Sequence, residues 1–219
     1  MKITLDSRKS VRLNWFKQEN VPYSIMRELE LSYTLDSISQ DLLYQTIKKH
    51  YMFSTLTQPI PETKIILFDE ELPRGYLSTK GSIGDKISTE NDEDLDMKVT
   101  DRIMKLDQGE EKITTRPVPP AEAHIYKEIQ VRERRDKIKR KISIKNDTDK
   151  LIKEAIVTFI ETKEITFVDS APKVSKSAPP EYKWSIEIPA GATVSIELQV
   201  ETYTKTTYKI EKEKPMLAK

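Results

Sequence analysis

Apolar and polar residues alternate with a period of two along most of the chain. From Pro22 to Thr34, one parity carries Tyr23, Ile25, Leu29, Leu31 and Tyr33. The same alternation occurs in residues 1–5, 11–15, 155–160, 165–168, 183–188 and 193–210. Alternation of this kind is typical of strands with one buried face. Turns rather than helices join the later segments, so the sequence predicts a mainly β fold built as an antiparallel β-sandwich.

One segment breaks the alternation and predicts a single α-helix. Ser37 and Gln40 have the spacing of a capping box. Apolar residues then recur at helical spacing at Ile38, Leu42 or Leu43, and Ile47. The last turn would hold Lys48, Lys49 and His50, where positive charge favours the helix dipole.

Prolines and a change of parity predict the division of the chain. Pro59 and Pro61 mark a break, which predicts a small β-rich segment with one helix at residues 1–60, a β-sandwich at 63–210 and a charged tail at 211–219. Residues 107–122 contain three prolines in four positions and are predicted to be an exposed loop. Between residues 124 and 146 the apolar positions change from odd to even, which predicts a bulge or a tight turn at 132–137.

The composition excludes several kinds of chemistry. The 219 residues include no Cys, two His and five Gly, so the chain cannot hold a disulfide, a thiolate metal site or a glycine-rich phosphate loop. The sequence therefore predicts no catalytic residue, no cofactor and no metal. With 37 Lys and Arg against 36 Asp and Glu, the formal net charge is +1. A balanced charge disfavours nucleic acid as a partner.

The same composition bears on source and location. Lys, Glu and Ile are abundant, which is a thermophile pattern and fits an archaeal or archaeal-virus source. No apolar run reaches the roughly 18 residues of a membrane helix, and the N-terminus has no signal-peptide pattern. We therefore expect no membrane span and a cytoplasmic protein, or a component of a virion or another assembly.

The second half of the chain resembles a known family. The segments KISIKNDTDKLIKEAIVTFIE and YKWSIEIPAGATVSIELQVETYT contain a turn at Asn146, a strand through Val157, a Trp184-x-Ile186-x-Ile188-Pro189 strand and a long final strand ending near Tyr203. This pattern resembles the C-terminal part of the family named domain of unknown function 4139, over about residues 63–210. The resemblance implies a β-sandwich. It carries no catalytic residue, and the N-terminal domain and helical hairpin that members usually carry have no counterpart in the first 60 residues.

Acidic residues and the two histidines are the candidates for catalysis or metal binding. Asp92, Asp94 and Asp96 have the spacing that opens a calcium loop, but the loop's required Gly and Glu positions are occupied by Met97 and Ile103. A solvated acidic turn is the favoured interpretation, with a carboxylate-dependent hydrolase based on residues 90–96 as an alternative. For His50 and His124 no spacing to a Ser or Asp supports a triad, so a helix-end His50 and a surface His124 are expected.

A basic cluster is the main candidate for an interaction surface. It comprises Arg132, Arg134, Arg135, Lys137, Lys139, Arg140 and Lys141. Contact with phosphates is one interpretation. Protection of an exposed strand edge by positive charge is the other, and the balanced net charge favours it. Tyr203 lies on the parity opposite to Ile196, Leu198 and Val200 and is predicted to face outward as a further candidate for an interaction surface, whereas Trp184 is predicted to be buried.

The predicted function is a non-catalytic structural or protein-interaction module that binds a protein partner or self-associates. Its working surface would be sheet edges, long strand extensions and the Pro-rich loops, because long strands with mobile loops can add to another sheet. A nucleic-acid-binding module using residues 132–141 is the first alternative, and the hydrolase is the second. Asn146-Asp147-Thr148 is a formal glycosylation sequon, for which a turn is the favoured interpretation.

Overall fold

A computed structural model describes residues 22–54, 60–69, 72–81, 87–88 and 92–212. The predicted strands at 1–5 and 11–15 and most of the predicted tail lie outside the described residues. The chain forms two compact units: residues up to Met26 together with His50–Asp92 make the first unit, and Arg27–Lys49 together with residues from Glu93 onward make the second. This division differs from the predicted break near residue 60, because residues 27–49 belong with strands that come much later in the sequence.

The described elements, numbered along the chain, are one short helix and fifteen strands. They are β1 (Tyr23–Leu31), α1 (Leu35–Ile38), β2 (Leu42–Gln45), β3 (Lys48–Phe53), β4 (Ile60–Asp69), β5 (Leu72–Gly81), β6 (Ile87–Ser88), β7 (Asp92–Glu93), β8 (Met97–Asp107), β9 (Lys112–Arg116), β10 (Tyr126–Asn146), β11 (Ile152–Ile160), β12 (Ile165–Ala171), β13 (Lys176–Ala178), β14 (Glu181–Ile188) and β15 (Thr193–Glu211).

Two sheets pack against each other in the second unit. The first sheet has the order β13-β14-β11-β1. The second has the order β12-β15-β10-β8-β2, with β9 pairing β10 beyond the end of β8. All of these pairs are antiparallel except β1 with β11, where Leu29 lies opposite Val157. The predicted mainly β sandwich is confirmed.

The core lies between the sheets and follows the predicted alternation. Ile196, Leu198 and Val200 of β15 are fully buried, and they face Val157 and Trp184 from the other sheet in one continuous apolar cluster. The prediction that Trp184 is buried is confirmed, and its indole Nε1 donates a hydrogen bond to the carbonyl of Pro172 at 3.1 Å. The indole N–H therefore has a hydrogen-bond partner within the protein although the ring is buried.

The first unit contains two described strand pairs. β4 and β5 form an antiparallel hairpin in which Ile65 lies opposite Leu77. β6 pairs antiparallel with β3, so that Met52 lies opposite Ser88.

The predicted helix is wrong in length and position. The helix spans only Leu35–Ile38 and is capped by Thr34, which exchanges hydrogen bonds with Ser37 in a capping box. Residues 42–45 form β2, because they pair with β8 between Val99 and Arg102. The tertiary pairing overrides a weak helical pattern, since short helices gain little stability on their own.

Two further predictions are corrected along β9 and β10. Part of the predicted loop 107–122 is strand β9, which pairs with β10 between Ile129 and Glu133, so within that range only residues 108–111 and 117–122 are loop. No bulge or turn interrupts β10 at residues 132–137, since its register with β15 is continuous from Glu128 to Lys145. Val131 is buried on the odd parity, whereas Asp136 and the residues after it are buried on the even parity. Odd and even residues of a strand point to opposite faces, so the strand is covered on one face near its start and on the other face later.

Candidate interaction surface

The acidic segment of Asp92, Asp94 and Asp96 is not solvated at its central residue, Asp94. Asp94 is 1% exposed, with Arg27 Nε at 2.7 Å from one carboxylate oxygen and Lys49 Nζ at 3.2 Å from the other. The backbone N–H of Asp96 also donates to this carboxylate. The prediction of a solvated turn is therefore wrong for Asp94, whose charge is shared between two cations. Within the described residues, no three His, Asp or Glu side chains are grouped as metal ligands would be.

The two histidines lie in different units. His50 belongs to β3 rather than to the end of a helix, so the predicted role at a helix terminus is wrong. His124 is exposed in the turn before β10, as predicted.

The basic cluster is divided between the two faces of the second sheet. Because side chains alternate along β10, Arg132, Arg134 and Arg140 share the parity of the core, whereas Arg135 and Lys139 point to the outer face. Lys139 Nζ lies 2.5 Å from a carboxylate oxygen of Glu197 on that face. The cluster is therefore not one surface.

Arg140 is buried and does not belong to any surface. Its side chain is 0% exposed, as is that of Asp101, and Arg140 Nε lies 2.7 Å from Asp101 Oδ1. Its Nη1 donates to the carbonyls of Ile38 at 2.6 Å and Gln40 at 2.9 Å. The prediction that Arg140 is part of an interaction surface is corrected, because all of its donors are turned toward the core and the segment that follows α1.

Tyr33 completes this buried group. Its hydroxyl donates to Asp101 Oδ2 at 2.8 Å, and its ring lies under the Arg140 guanidinium at 5.6 Å. Burial and the neighbouring Asp101 charge raise the pKa of Tyr33 well above its usual range. The hydroxyl therefore stays protonated and acts as a donor.

The structure brings aromatic rings beside the exposed arginines. Arg135 lies 5.3 Å from the Tyr203 ring centre, and these two residues are directly opposite in the register of β10 and β15. Arg132 lies 4.8 Å from the Tyr208 ring centre on the other face. Tyr203 is half-buried on the outer face, on the parity opposite to buried Thr202, as its sequence parity predicts.

β10 is an interior strand, so its cations do not protect an edge. It pairs with β15 along one side and with β8 and β9 along the other. The edge-protection interpretation is therefore wrong for β10. The edge lies on β15 instead: β12 pairs with it only as far as Thr202, and among the described residues no strand pairs with that side of residues 203–211.

Two hydrogen bonds show which backbone groups point to this side. The Tyr203 N–H donates to the Glu164 carbonyl on the β12 side, whereas the Lys212 N–H donates to the Ile125 carbonyl next to β10. Backbone groups alternate in direction along an antiparallel strand. The N–H and C=O groups of Lys205, Thr207 and Lys209 therefore point away from β10, and we call these groups the open edge.

The side chains of the two open-edge lysines each have a carboxylate partner. Lys205 Nζ lies 2.7 Å from Glu133, and Lys209 Nζ lies 2.7 Å from Glu122. Hydrogen bonding to these carboxylates raises the pKa of both lysines. Lysines protect an edge by bringing unpaired charge to an approaching strand. Pairing reduces that protection here.

The sequon lies in a turn and its asparagine is not available. Asn146 is fully buried, and its Nδ2 donates to the carbonyls of Lys150, Ile188 and Pro189 at 2.8–3.2 Å. Its Oδ1 accepts from the N–H and hydroxyl of Thr148. The prediction of a turn is confirmed, and the side chain connects it to the end of β14.

Comparison with known proteins gives no relative. No family model, no curated protein and no solved structure matches this chain. In the part of the chain that the structure describes, no helix has the length and apolar character needed to cross a membrane.

Proposed function

We propose that this protein is a non-catalytic interaction module that binds a β-strand of another polypeptide along the open edge of β15. The observation that carries the proposal is the one-sided pairing of residues 203–211. Three residues present six backbone hydrogen-bonding groups in a row, and addition of a strand would satisfy them. A regular strand of this length with little charge protection is a template for pairing.

A second copy of the chain fits the open edge in one antiparallel register. With Tyr208 opposite Tyr208 of the second copy, Lys205 lies opposite Glu211 and Thr207 lies opposite Lys209. Opposite charges and aromatic pairs across strands each contribute about 0.2–1 kcal/mol. A register centred on Thr207 would place Lys205 opposite Lys209, which is unfavourable. We therefore propose self-association with Tyr208 at the centre.

The test is a proline substitution that changes only the open edge. Thr207→Pro removes an N–H that points away from β10, so the β10–β15 pairing is kept, as is usual for prolines on edge strands. Two-fold symmetry doubles the loss to two hydrogen bonds of about 0.5–1.5 kcal/mol each. We expect association in sedimentation equilibrium to weaken about 5- to 150-fold, whereas the matched control Thr207→Ala keeps it.

A charge variant tests the register. Glu211→Lys places a lysine opposite Lys205 of the second copy. We expect this substitution to weaken association more at low salt than at high salt, because salt screens the repulsion. A chain that remains monomeric at all concentrations would contradict self-association. In that case, binding of a separate protein that is lost in Thr207→Pro and kept in Thr207→Ala would still support strand addition.

The resemblance to the domain of unknown function 4139 family is compatible with this proposal, since that resemblance also implies a β-sandwich without catalytic residues. Family membership stays a prediction, as do the archaeal source and the cytoplasmic or assembly location.

A further inference from the structure

The outer face of the second sheet places cations directly opposite cations. In the register of β8 and β10, Lys98 lies opposite Lys145, Arg102 opposite Lys141, and Lys105 opposite Lys139. Residues directly opposite in an antiparallel pair have Cα atoms about 4.5–5.5 Å apart. Like charges at this spacing destabilise a sheet. Three such pairs in one strand pair therefore oppose folding and call for a compensating anion.

Carboxylates of the chain compensate two of the three pairs. Asp147 lies between Lys98 and Lys145, with contacts of 2.6 Å and 2.5 Å. Hydrogen bonds from Lys145 and then Lys98 lower the pKa of Asp147 below its ordinary value. At the pair formed by Lys105 and Lys139, each lysine has its own carboxylate, Asp107 and Glu197 respectively.

The central pair has no such partner. Among the described residues, neither Arg102 nor Lys141 has a carboxylate within salt-bridge distance. Arg102 is exposed and Lys141 is half-buried, so both cations are accessible from solvent. Lys141 lies directly opposite Glu197 of β15, but that carboxylate forms its salt bridge with Lys139. Arg102 lies between Leu42 and Lys141 and has no carboxylate directly opposite it. This shortage of negative charge at the central pair is the first of two observations that point to an anionic ligand.

An exposed tyrosine beside this pair is the second observation. Tyr44 of β2 is 79% exposed, and it lies opposite Thr100 of β8, which in turn lies opposite Ser143 of β10. This row of Tyr44, Thr100 and Ser143 separates the row of Lys141 and Arg102 from the row of Lys145 and Lys98. Two residues of a strand span about 6.8 Å, so the backbone of this row lies about that far from the backbone of each row of cations. The small Thr and Ser side chains leave the ring uncovered on the side facing β10.

We propose that this face binds single-stranded nucleic acid, with Arg102 and Lys141 contacting phosphates and a base stacked on Tyr44. A flat sheet face with cations and an exposed ring is how several single-strand binders hold their ligand. An acidic peptide would use the cations, but its Asp and Glu side chains have no aromatic ring to stack on Tyr44. Duplex presents its bases only at groove edges, so it cannot stack on Tyr44.

The sequence argument against nucleic acid depended on the balanced net charge. In the structure the outer positions of the neighbouring strands β8 and β10 are mostly basic, and Asp101 and Asp136 are buried on the inner face. The carboxylates of Glu197 and Glu201 lie at outer positions of β15, on the other side of β10 from Arg102. The proposed site also differs from the basic stretch predicted at 132–141, because its cations come from two strands. It is independent of the open edge of β15.

The test is fluorescence anisotropy with labelled 15-mers of oligo(dT) and oligouridylate, at 50 and 200 mM salt. We expect saturable binding that weakens with salt. Arg102→Gln should lower the slope of log K against log salt by about 0.7, the value for one phosphate contact with a single strand. Tyr44→Leu should weaken binding about 5- to 150-fold, the range for one stacked base, and leave the slope unchanged.

Matched controls separate this site from general charge effects. Lys153 and Lys176 are exposed on strands of the first sheet, so the double variant Lys153→Gln/Lys176→Gln lowers the net charge more than Arg102→Gln does without touching the site. It should bind like the unchanged protein. Arg102→Glu should abolish binding and raise the thermal midpoint, because it replaces a like-charge pair with an attractive one.

Three outcomes would overturn the proposal. The first is that the protein shows no saturable binding of either oligonucleotide at 50 mM salt. The second is that Arg102→Gln and the Lys153/Lys176 control weaken oligonucleotide binding equally. The third is that a labelled polyglutamate binds as tightly as the oligonucleotides and that Tyr44→Leu has no effect on binding. The last outcome would assign the face to acidic polymers instead.

Discussion

The buried pair of Arg140 and Asp101 is predicted to be a large contributor to stability. Asp101→Asn keeps the shape of the side chain but removes the negative charge. Arg140 would then be a fully buried cation with only neutral acceptors, namely the side-chain amide oxygen introduced at position 101 and the backbone carbonyls of residues 38, 40 and 101. Breaking one partner of a buried pair costs about 3–5 kcal/mol, because the other charge stays out of water.

Urea denaturation followed by circular dichroism measures this cost. With a denaturant slope of about 2 kcal/mol/M, the midpoint should fall by about 1.5–2.5 M. The control is Glu201→Gln, which breaks the exposed ion pair with Arg135 and should cost no more than about 1 kcal/mol.

A double-mutant cycle with Arg140→Met should give a coupling energy of about 1–3 kcal/mol. The reasoning is refuted if Asp101→Asn costs less than about 1 kcal/mol, or if the two substitutions add without coupling. Either result would mean that Arg140 reaches water or another anion.

The remaining predictions concern a turn, a close backbone contact and acid sensitivity. Asn146→Ala should destabilise the protein by about 2–4 kcal/mol in urea denaturation, since it leaves several buried carbonyls unpaired; a cost below 1 kcal/mol would contradict this. Gly109→Ala should lower the thermal midpoint by several degrees, because a Cβ there would overlap the backbone carbonyl of Arg135; an unchanged midpoint would show that the loop moves freely. Asp147 has a lowered folded pKa, so its contribution is present above its ordinary value of 3.8 and is lost as pH falls through the folded pKa. Denaturation midpoints between pH 5 and 2 should therefore fall less in Asp147→Asn than in the unchanged chain.

The strands of the core could be predicted from the sequence because burial in this fold follows parity. Ile196, Leu198 and Val200 alternate with polar residues, and the structure buries all three. Trp184 follows the same rule. The alternation of apolar and polar residues involves only neighbouring positions, so a single sequence is enough to determine which face of a strand is buried.

The buried charges carried a signal that the sequence reading missed. Arg140 shares its parity with Ile138 and Ile142, which predicts a buried arginine rather than a surface one. Asp101 falls on the same parity as Val99 and Ile103. Charged residues at buried parity in two strands indicate an ion pair between neighbouring strands.

The open edge and the opposed cations could not be predicted. Both depend on which strands are neighbours and in which register, and these pairings join residues far apart in sequence. Lys141 and Arg102 are ordinary surface residues until β8 and β10 are aligned. The sequence predicts too long a helix for the same reason, since only pairing with β8 makes Leu42–Gln45 a strand.

The central claim is that alternate backbone groups of β15 are left free for another strand, and residue-resolved amide hydrogen exchange tests it most directly. At low protein concentration, the account predicts slow exchange at Thr206 and Tyr208, which point toward β10, and fast exchange at Lys205 and Thr207. As concentration rises and the chains associate, the amides of Lys205 and Thr207 should become protected. Association that leaves the Thr207 amide in fast exchange, or equal exchange at all four residues at low concentration, would contradict the account.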